Sequence, residues 1–405
     1  MRRISPTGFR IARRGTSREI NGKIALNLIR ERQPISRAEL ARLMGLRRGG
    51  ISRLVDDLLA AGLVFEGPKG ESRRGRKPMH LHIETRQRCV VAVDIRASRT
   101  SIMLTDVLGN PLLDAVEFRT RRQPATAVEE MVRRIRRMLE QHPELGSCVG
   151  VGIAMSGLMD LEAGRVRFSP TIGWRDVDLA SPLQAALKLP VVVENSCKAC
   201  VLAEVWAVRG DAPVDGPVAF VNVSDGVGVG IAIDGKLLRG ARNVAGEFGH
   251  VPLSADTGPR CSCGQRGCWE TYVSKRAIVA RYLGKDASWP ESADLRDVSL
   301  EEIIERARGG DRRALDALSE TGRHLGRGFA TIIKTIDPRR IYLGGEITAA
   351  WDLVAPMVEQ ALQADALIRD VGDTEILIVG LGEQARLRGA AALVSTPAFA
   401  APVVS

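Results

Sequence analysis

Three cysteines within eight residues, Cys261, Cys263 and Cys268, follow His250 by eleven residues and upward. Any fold of this chain must bring these four side chains to one place. Three thiolates and one imidazole make a closed tetrahedral set, as in structural zinc sites, whereas a catalytic zinc keeps one position open for water. Gly264 and Gly267 allow the tight turns that let Cys263 and Cys268 face one metal. Nothing else in the sequence suggests an oxidising compartment, so disulfides are the weaker reading. Glu247 and Glu270 flank the ligands, and a metal-stapled loop would hold two carboxylates near one point, as a polyhydroxylated ligand requires.

Charge divides the chain. Residues 1–88 hold 21 Lys and Arg against 8 Asp and Glu, a net of +13 out of +10 for the whole. The rest is therefore slightly acidic, and the basic end reads as a module that meets a polyanion. No apolar run approaches the roughly 18 residues of a membrane span, and the arginine-rich start lacks the apolar core of a signal peptide. A cytoplasmic protein is expected, with no membrane partner.

Apolar residues at helical spacing predict a first helix over Glu19–Arg32, ended by Pro34. Ser36 and Glu39 form a capping box for a second helix closing at Gly45, and Ile51, Leu54, Val55, Leu58 and Leu59 mark a third. Two strands, Leu63–Phe65 and Leu81–Ile83, enclose a loop rich in glycine and arginine, giving a winged helix-turn-helix. The third helix would enter the major groove with Arg47, Arg48, Ser52 and Arg53 as phosphate and base contacts. The wing, with Arg74, Arg76 and Lys77, would lie in a minor groove. Gly49 and Gly50 each cost about 1 kcal/mol of helix propensity, so this helix is expected to firm up on DNA.

Beyond residue 88, strands alternate with helices. Cys89–Ile95, Thr100–Asp106 and Leu113–Arg119 precede a helix over 125–140. Strands Val149–Ala154 and Val191–Asn195 lead into a helix over 197–208. A second pair, Phe220–Val223 and Val229–Ile233, is followed by a helical stretch over 299–336, strand Arg340–Leu343 and a last helix from Glu383 to Leu393. Two such β-β-β-α sets predict two α/β lobes with a cleft between them.

These residues carry a resemblance. The zinc stretch, Gly246-Glu247-Phe248-Gly249-His250, Ser169-Pro170-Thr171-Ile172-Gly173-Trp174, Val193-Glu194-Asn195 and Leu343-Gly344-Gly345 are similar to the ROK family (repressors, open reading frames and sugar kinases). The resemblance implies an α/β, actin-like ATPase fold with sugar bound in the cleft. The expected domains are a winged helix-turn-helix at 1–85, a first lobe at 86–195 joined by a C-terminal helix at 382–395, and a second lobe with the zinc site at 196–381. Members with a winged helix resemble transcriptional regulators, usually homo-oligomers on palindromic operators.

The kinase chemistry of that family is expected to be lost here. Arg96 and Ala97 replace a glycine pair whose backbone N–H groups would close on phosphate. Ser196 replaces the aspartate base, and a positioned base is typically worth 10²–10⁴-fold. Asp225 puts a carboxylate where a triphosphate would lie. Lys198 reads as a solvated or cleft-lining cation, and Cys89, Cys148, Cys197 and Cys200 read as buried thiols.

By the same resemblance, Asn195, Glu247, His250 and Glu270 are the expected sugar-binding residues, with His250 first assigned to Zn²⁺. Thr171 stands where many members have asparagine. The expected function is a transcriptional regulator, a repressor of carbohydrate genes. It would bind double-stranded operator DNA and a sugar or sugar derivative, as a homodimer or homotetramer. The alternative is an ATP-dependent sugar kinase with an accessory DNA-binding domain.

Overall fold

A computed structural model describes residues 16–69, 79–207, 216–288, 298–371, 374–380 and 383–399. The N-terminal unit has helices α1 (Thr16–Arg32), α2 (Arg37–Met44) and α3 (Arg48–Ala60), with strands β1 (Ile35–Ser36), β2 (Val64–Lys69) and β3 (Met79–Ile83) in the order β1-β3-β2. Ser36 Oγ accepts from Glu39 N–H at 3.1 Å, and Gly45 closes α2 at φ +63°, a left-handed conformation suited to glycine. Helix α3 is formed from Arg48 onward, contrary to the expectation of a helix that awaits DNA. Both glycines fall in its first turn, where Gly50 N–H already reaches Arg47 O at 2.9 Å, and Ile51, Leu54, Val55 and Leu58 bury one face along its length. The wing tip, residues 70–78, lies outside the described residues.

Two five-stranded sheets repeat one plan. The first uses β4 (Arg88–Ile95), β5 (Arg99–Asp106), β6 (Val116–Arg119), β7 (Ser147–Met155) and β11 (Val191–Asn195), in the order β11-β7-β4-β5-β6. Between β7 and β11 lies a separate antiparallel ribbon of β8 (Leu158–Asp160), β9 (Arg165–Ser169) and β10 (Trp174–Asp178). Helices α4 (Pro124–Gln141) and α5 (Ala180–Leu187) cover one face of this sheet, and α6 (Ser196–Ala207) leaves it. The second sheet, β14-β13-β12-β15-β16, uses β12 (Pro217–Val223), β13 (Val227–Ile233), β14 (Lys236–Leu237), β15 (Arg340–Gly344) and β16 (Glu375–Ile378). In both, an antiparallel set is extended by parallel strands.

Helices α7 (Glu270–Val273), α8 (Lys275–Leu283), α9 (Leu300–Arg308), α10 (Arg312–Ile336), α11 (Trp351–Gln363) and α12 (Ala366–Val371) belong to the second sheet's side. The helical stretch expected over 299–336 is thus two helices, broken where Gly310 takes φ +89° and Asp311 caps α10. The last helix, α13 (Glu383–Phe399), packs on β4 and β7 and on α6, which in turn packs on β12 and β13. These contacts require glycine. A Cβ at Gly152 would lie 1.8 Å from Ala390 O, and one at Gly230 would lie 2.1 Å from Cys197 O.

Candidate effector cleft, metal centre and nucleic-acid interface

The donor atoms of His250, Cys261, Cys263 and Cys268 all lie within 4.8 Å of one another. Cys263 and Cys268 Sγ are 3.6 Å apart, and Cys261 Sγ is 3.4 Å from His250 Nδ1. Zn–S bonds of about 2.3 Å at tetrahedral angles put two thiolates roughly 3.8 Å apart, so the set fits one ion. The loop is tied down locally. Gly267 takes φ +65° where a Cβ would lie 1.7 Å from Ser254 O, and Cys261 N–H donates to Gln265 O at 2.8 Å. Burial raises the Cys261 thiol, but hydrogen bonds to His250 and the Cys263 backbone outweigh it and bring the pKa to about 7. The thiol is therefore easily deprotonated, as a metal ligand must be.

Behind the loop, Trp269 is buried and donates from Nε1 to His324 O on α10 at 2.9 Å, and a Cβ at Gly328 would lie 1.9 Å from its ring. His324 stacks on Tyr272 with ring centroids 4.5 Å apart. Burial, then Arg281, lowers its pKa to about 4, against the pull of Glu320, whose Oε1 is 3.1 Å from Nε2. A neutral ring that donates Nε2–H to Glu320 satisfies both facts. As pH falls below the ordinary 6.5, the unfolded chain takes up a proton that the folded ring refuses until about 4, so stability is lost across that window. Urea unfolding should show about 2 kcal/mol more loss from pH 7 to pH 5 in the natural protein than in His324→Gln. Equal losses would contradict a neutral His324.

Beside the metal set lies a cavity of about 470 Å³, lined by Thr171, Asp225, His250, Ser262, Glu270 and Lys275 among others. Glu270 opens α7, and its Oε2 accepts from Val227 N–H at 3.0 Å. Of the four expected sugar-binding residues, His250 and Glu270 line this cavity, whereas Asn195 and Glu247 are absent from its lining. Glu247 is half-buried. Its pKa is raised by that burial and drawn down by His250 and Lys198. Asn195 caps α6 instead: Oδ1 accepts from Cys197 N–H at 2.9 Å and Lys198 N–H at 3.4 Å, while Nδ2 donates to Gly157 O at 3.0 Å.

Lys198 is neither solvated nor cleft-lining, which corrects the sequence expectation. It is 1% exposed, and Nζ donates to Asn243 O at 2.6 Å and Asn243 Oδ1 at 2.8 Å. Asn243 takes φ +59° and donates from Nδ2 to Met159 O and Glu194 Oε1, while Glu194 Oε2 receives Arg239 Nε at 2.9 Å. The first turn of α6 is thus locked to the first sheet and to the loop that carries Glu247. A buried polar network survives only if its members are satisfied, and this one is.

Two of the three kinase-side positions are closed by internal ion pairs, and the third is buried. Asp94 is buried between Arg96 Nε at 2.7 Å and Arg386 Nη2 at 2.6 Å. Lys275 Nζ bridges Asp225 Oδ1 and Glu346 Oε2, each at 3.0 Å. Ser196 is buried at the start of α6. Sequence reasoning found Arg96 and Asp225 but not Arg386, which shares Asp94 with Arg96, nor Lys275, which pairs with Asp225; both come from distant segments.

On the basic unit, Arg47, Arg48 and Arg53 are exposed on α3, and Ser52 is half-buried. Arg37 positions this helix by donating to Ser52 O, Asp56 and Glu66, and Arg18 forks onto Asp57 at 2.8 and 2.7 Å. Arg74, Arg76 and Lys77 fall outside the described residues. The unit also touches the body. Trp206, near the end of α6, meets Phe399 edge-on at 4.9 Å, Arg30 of α1 lies 4.1 Å over the Trp206 ring, and Asn27 Nδ2 donates to Phe399 O at 2.6 Å.

Comparison with known proteins decides the family. The ROK family model matches residues 90–396, most of the chain. The chain belongs to the ROK family. Residues 23–75 of this ROK chain match the MarR family, in keeping with the winged helix. The xylose repressor of Bacillus subtilis is 30% identical over 93% of this chain and 95% of its own length. Among solved structures, a ROK family transcriptional regulator described as a homologue of the Escherichia coli MLC protein has a TM-score of 0.79 at 26% identity, covering 95% of this chain and 97% of its own. A ROK family glucokinase from Streptomyces griseus, in complex with glucose and AMPPNP, has a TM-score of 0.62 at 29% identity, covering 75% of this chain and 98% of the kinase. The kinase lacks a counterpart for about a quarter of this chain. No helix among the described residues is long and apolar enough to cross a membrane.

Proposed function

We propose that this ROK protein is a sugar-responsive DNA-binding repressor of carbohydrate genes, without kinase activity. The observation that carries this reading is α6, whose first turn is tied through Lys198 and Asn243 to the loop of Glu247 and whose Trp206 packs against Arg30 of the winged helix. One rigid helix joins the place where a sugar would bind to the unit that would hold DNA. A sugar or sugar derivative, held by Asn195, Glu247, His250 and Glu270, would act by favouring one arrangement of that joint, since a ligand shifts DNA affinity only through differential binding. Zn²⁺ on His250, Cys261, Cys263 and Cys268 would fix the cleft wall.

Loss of phosphoryl transfer is supported by the ion pairs that occupy Asp94, Asp225 and Glu346 and by the serine at 196. The DNA-binding set is Arg47, Arg48, Ser52 and Arg53 with Arg74, Arg76 and Lys77. The chain would work in the cytoplasm as a homodimer or homotetramer on a palindromic operator, because a two-fold protein matches two half-sites. The unit boundaries proposed are 1–85, 86–195 with 382–395, and 196–381.

Gel shift with DNA from upstream of its own and neighbouring genes tests the reading. Affinity should fall steeply with salt, and Arg53→Ala should weaken it by about 1–3 kcal/mol, or 5- to 150-fold. Xylose, glucose and related sugars should release the DNA. The repressor reading would be overturned by no shift at low salt, or by ATP-dependent phosphorylation of a hexose well above background.

A further inference from the structure

Cys89 and Cys148 are partners in the parallel pairing of β4 with β7, and a strand irregularity follows them at once, between Cys89 and Val91. Registered residues on neighbouring strands stand about 4.8 Å apart, inside the Cα range that a disulfide can bridge. Both side chains point to the same face, since Cys148 packs with the cluster formed by Val91, Val93 and Ile95. The two thiols differ in exposure. Cys89 is fully buried, while Cys148 keeps contact with solvent, so one of the four thiols read from sequence as buried is not.

We propose that Cys89 and Cys148 are a modification site that closes to a reversible disulfide when the protein meets hydrogen peroxide. The Cys148 thiolate attacks one peroxide oxygen; the O–O bond breaks, hydroxide leaves and Cys148 becomes a sulfenic acid. The Cys89 sulfur then attacks that sulfur and gives up its proton, the S–O bond breaks and water leaves. Two thiols are oxidised by two electrons and one peroxide is reduced to two waters.

The direction of attack follows from the environment. The hydrogen bond from Cys89 lowers the Cys148 pKa against its partial burial, and the Cys89 thiol is held protonated by that hydrogen bond and by burial. Cys148 Sγ rests 3.5 Å from Gly150 O and need only turn toward its neighbour. A disulfide that includes the partly exposed Cys148 is within reach of reducing thiols, which makes it reversible and so regulatory in type. By contrast Cys197 and Cys200 are both buried, with pKa values raised by that burial, and they face no solvent from which to be oxidised.

The place matters as well. Arg88, next in the chain, donates from Nη2 to Ala61 O at the end of α3, and Gln87 O accepts from Ser147 N–H. The pair thus sits at the seam between the body and the recognition helix.

The test is peptide mapping of the full-length, zinc-loaded protein after a few equivalents of hydrogen peroxide, with free thiols blocked by N-ethylmaleimide under denaturing conditions. The expected product is a cross-linked peptide pair of Cys89 and Cys148 that dithiothreitol dissolves. Cys89→Ser should instead leave Cys148 as a sulfenic acid that dimedone traps. The proposal is overturned if both thiols of the treated natural protein take up maleimide, or if Cys148 passes to sulfinic acid while Cys89 stays free. Neither readout depends on DNA or sugar binding.

Discussion

Cys268→Ser should release the metal and destabilise the protein by about 4 kcal/mol or more, the range in which loss of a structural metal falls. The mutated position explains the size. Cys268 is buried, its Sγ lies 3.6 Å from that of Cys263, and its neighbour Trp269 anchors the loop to α10 through His324 O. A tetrahedral site left with three ligands opens a position for water and loses the closure that makes it structural. The loop from His250 to Glu270 would then hold its shape through Trp269, the backbone bonds and a few side-chain bonds such as Arg260 N–H to Ser288 Oγ and Val227 N–H to Glu270 Oε2. Glu270, which lines the cavity, is two residues from the lost ligand, so sugar-dependent release of DNA should fall along with stability. Zinc content by colorimetric titration, thermal unfolding and gel shift with sugar measure the three effects. Cys148→Ser, far from the cluster, should leave zinc content unchanged. A Cys268→Ser protein with one zinc per chain and an unaltered unfolding transition would refute the structural role.

The metal set was legible because its donors lie within nineteen residues of sequence, so spacing alone brings them together. The winged helix was legible for a similar reason: the capping box at Ser36 and Glu39 and the apolar series of α3 act over a single turn. What escaped were features made by distant pairing or by strands too short to show a pattern. Strand β1 has two residues and no pattern of its own; it exists because Ile35 and Ser36 pair with Leu81 and His80. The ribbon of β8 to β10 is three short strands joined through turns at Gly164 and Gly173, too brief for alternation to register. Of the expected sugar-binding set, Glu270 lines the cavity beside the His250 and cysteine cluster, whereas what Asn195 touches is decided by the helix that follows it. Its Oδ1 spends itself on the N–H groups of α6. Lys198 was misread because a lysine is seldom buried, and the partner that allows it, Asn243, is 45 residues away in a left-handed turn.

That partnership makes Lys198→Met the second large effect. Methionine keeps most of the volume but removes the ammonium, leaving Asn243 O and Oδ1 without donors and the buried Glu194 with one cation fewer nearby. Leaving a buried acceptor without its donor costs about 1–3 kcal/mol, and two are left here, far above the 0–1 kcal/mol of a surface pair. The upper part of that range suits a residue that is 1% exposed. Urea unfolding should record the loss, and a change below about 1 kcal/mol would show that the network relaxes around the methionine. The same substitution separates two parts of the proposed signal. Arg47, Arg48 and Arg53 lie on a helix held by Arg18 and Arg37, with no contact to Lys198, so DNA affinity without sugar should change little in the folded fraction. Sugar response should fall, because Asn243 no longer ties the loop of Glu247 to the head of α6, and the end of α6 is where Trp206 meets the winged helix. Equal losses of DNA affinity and sugar response would instead mark general unfolding.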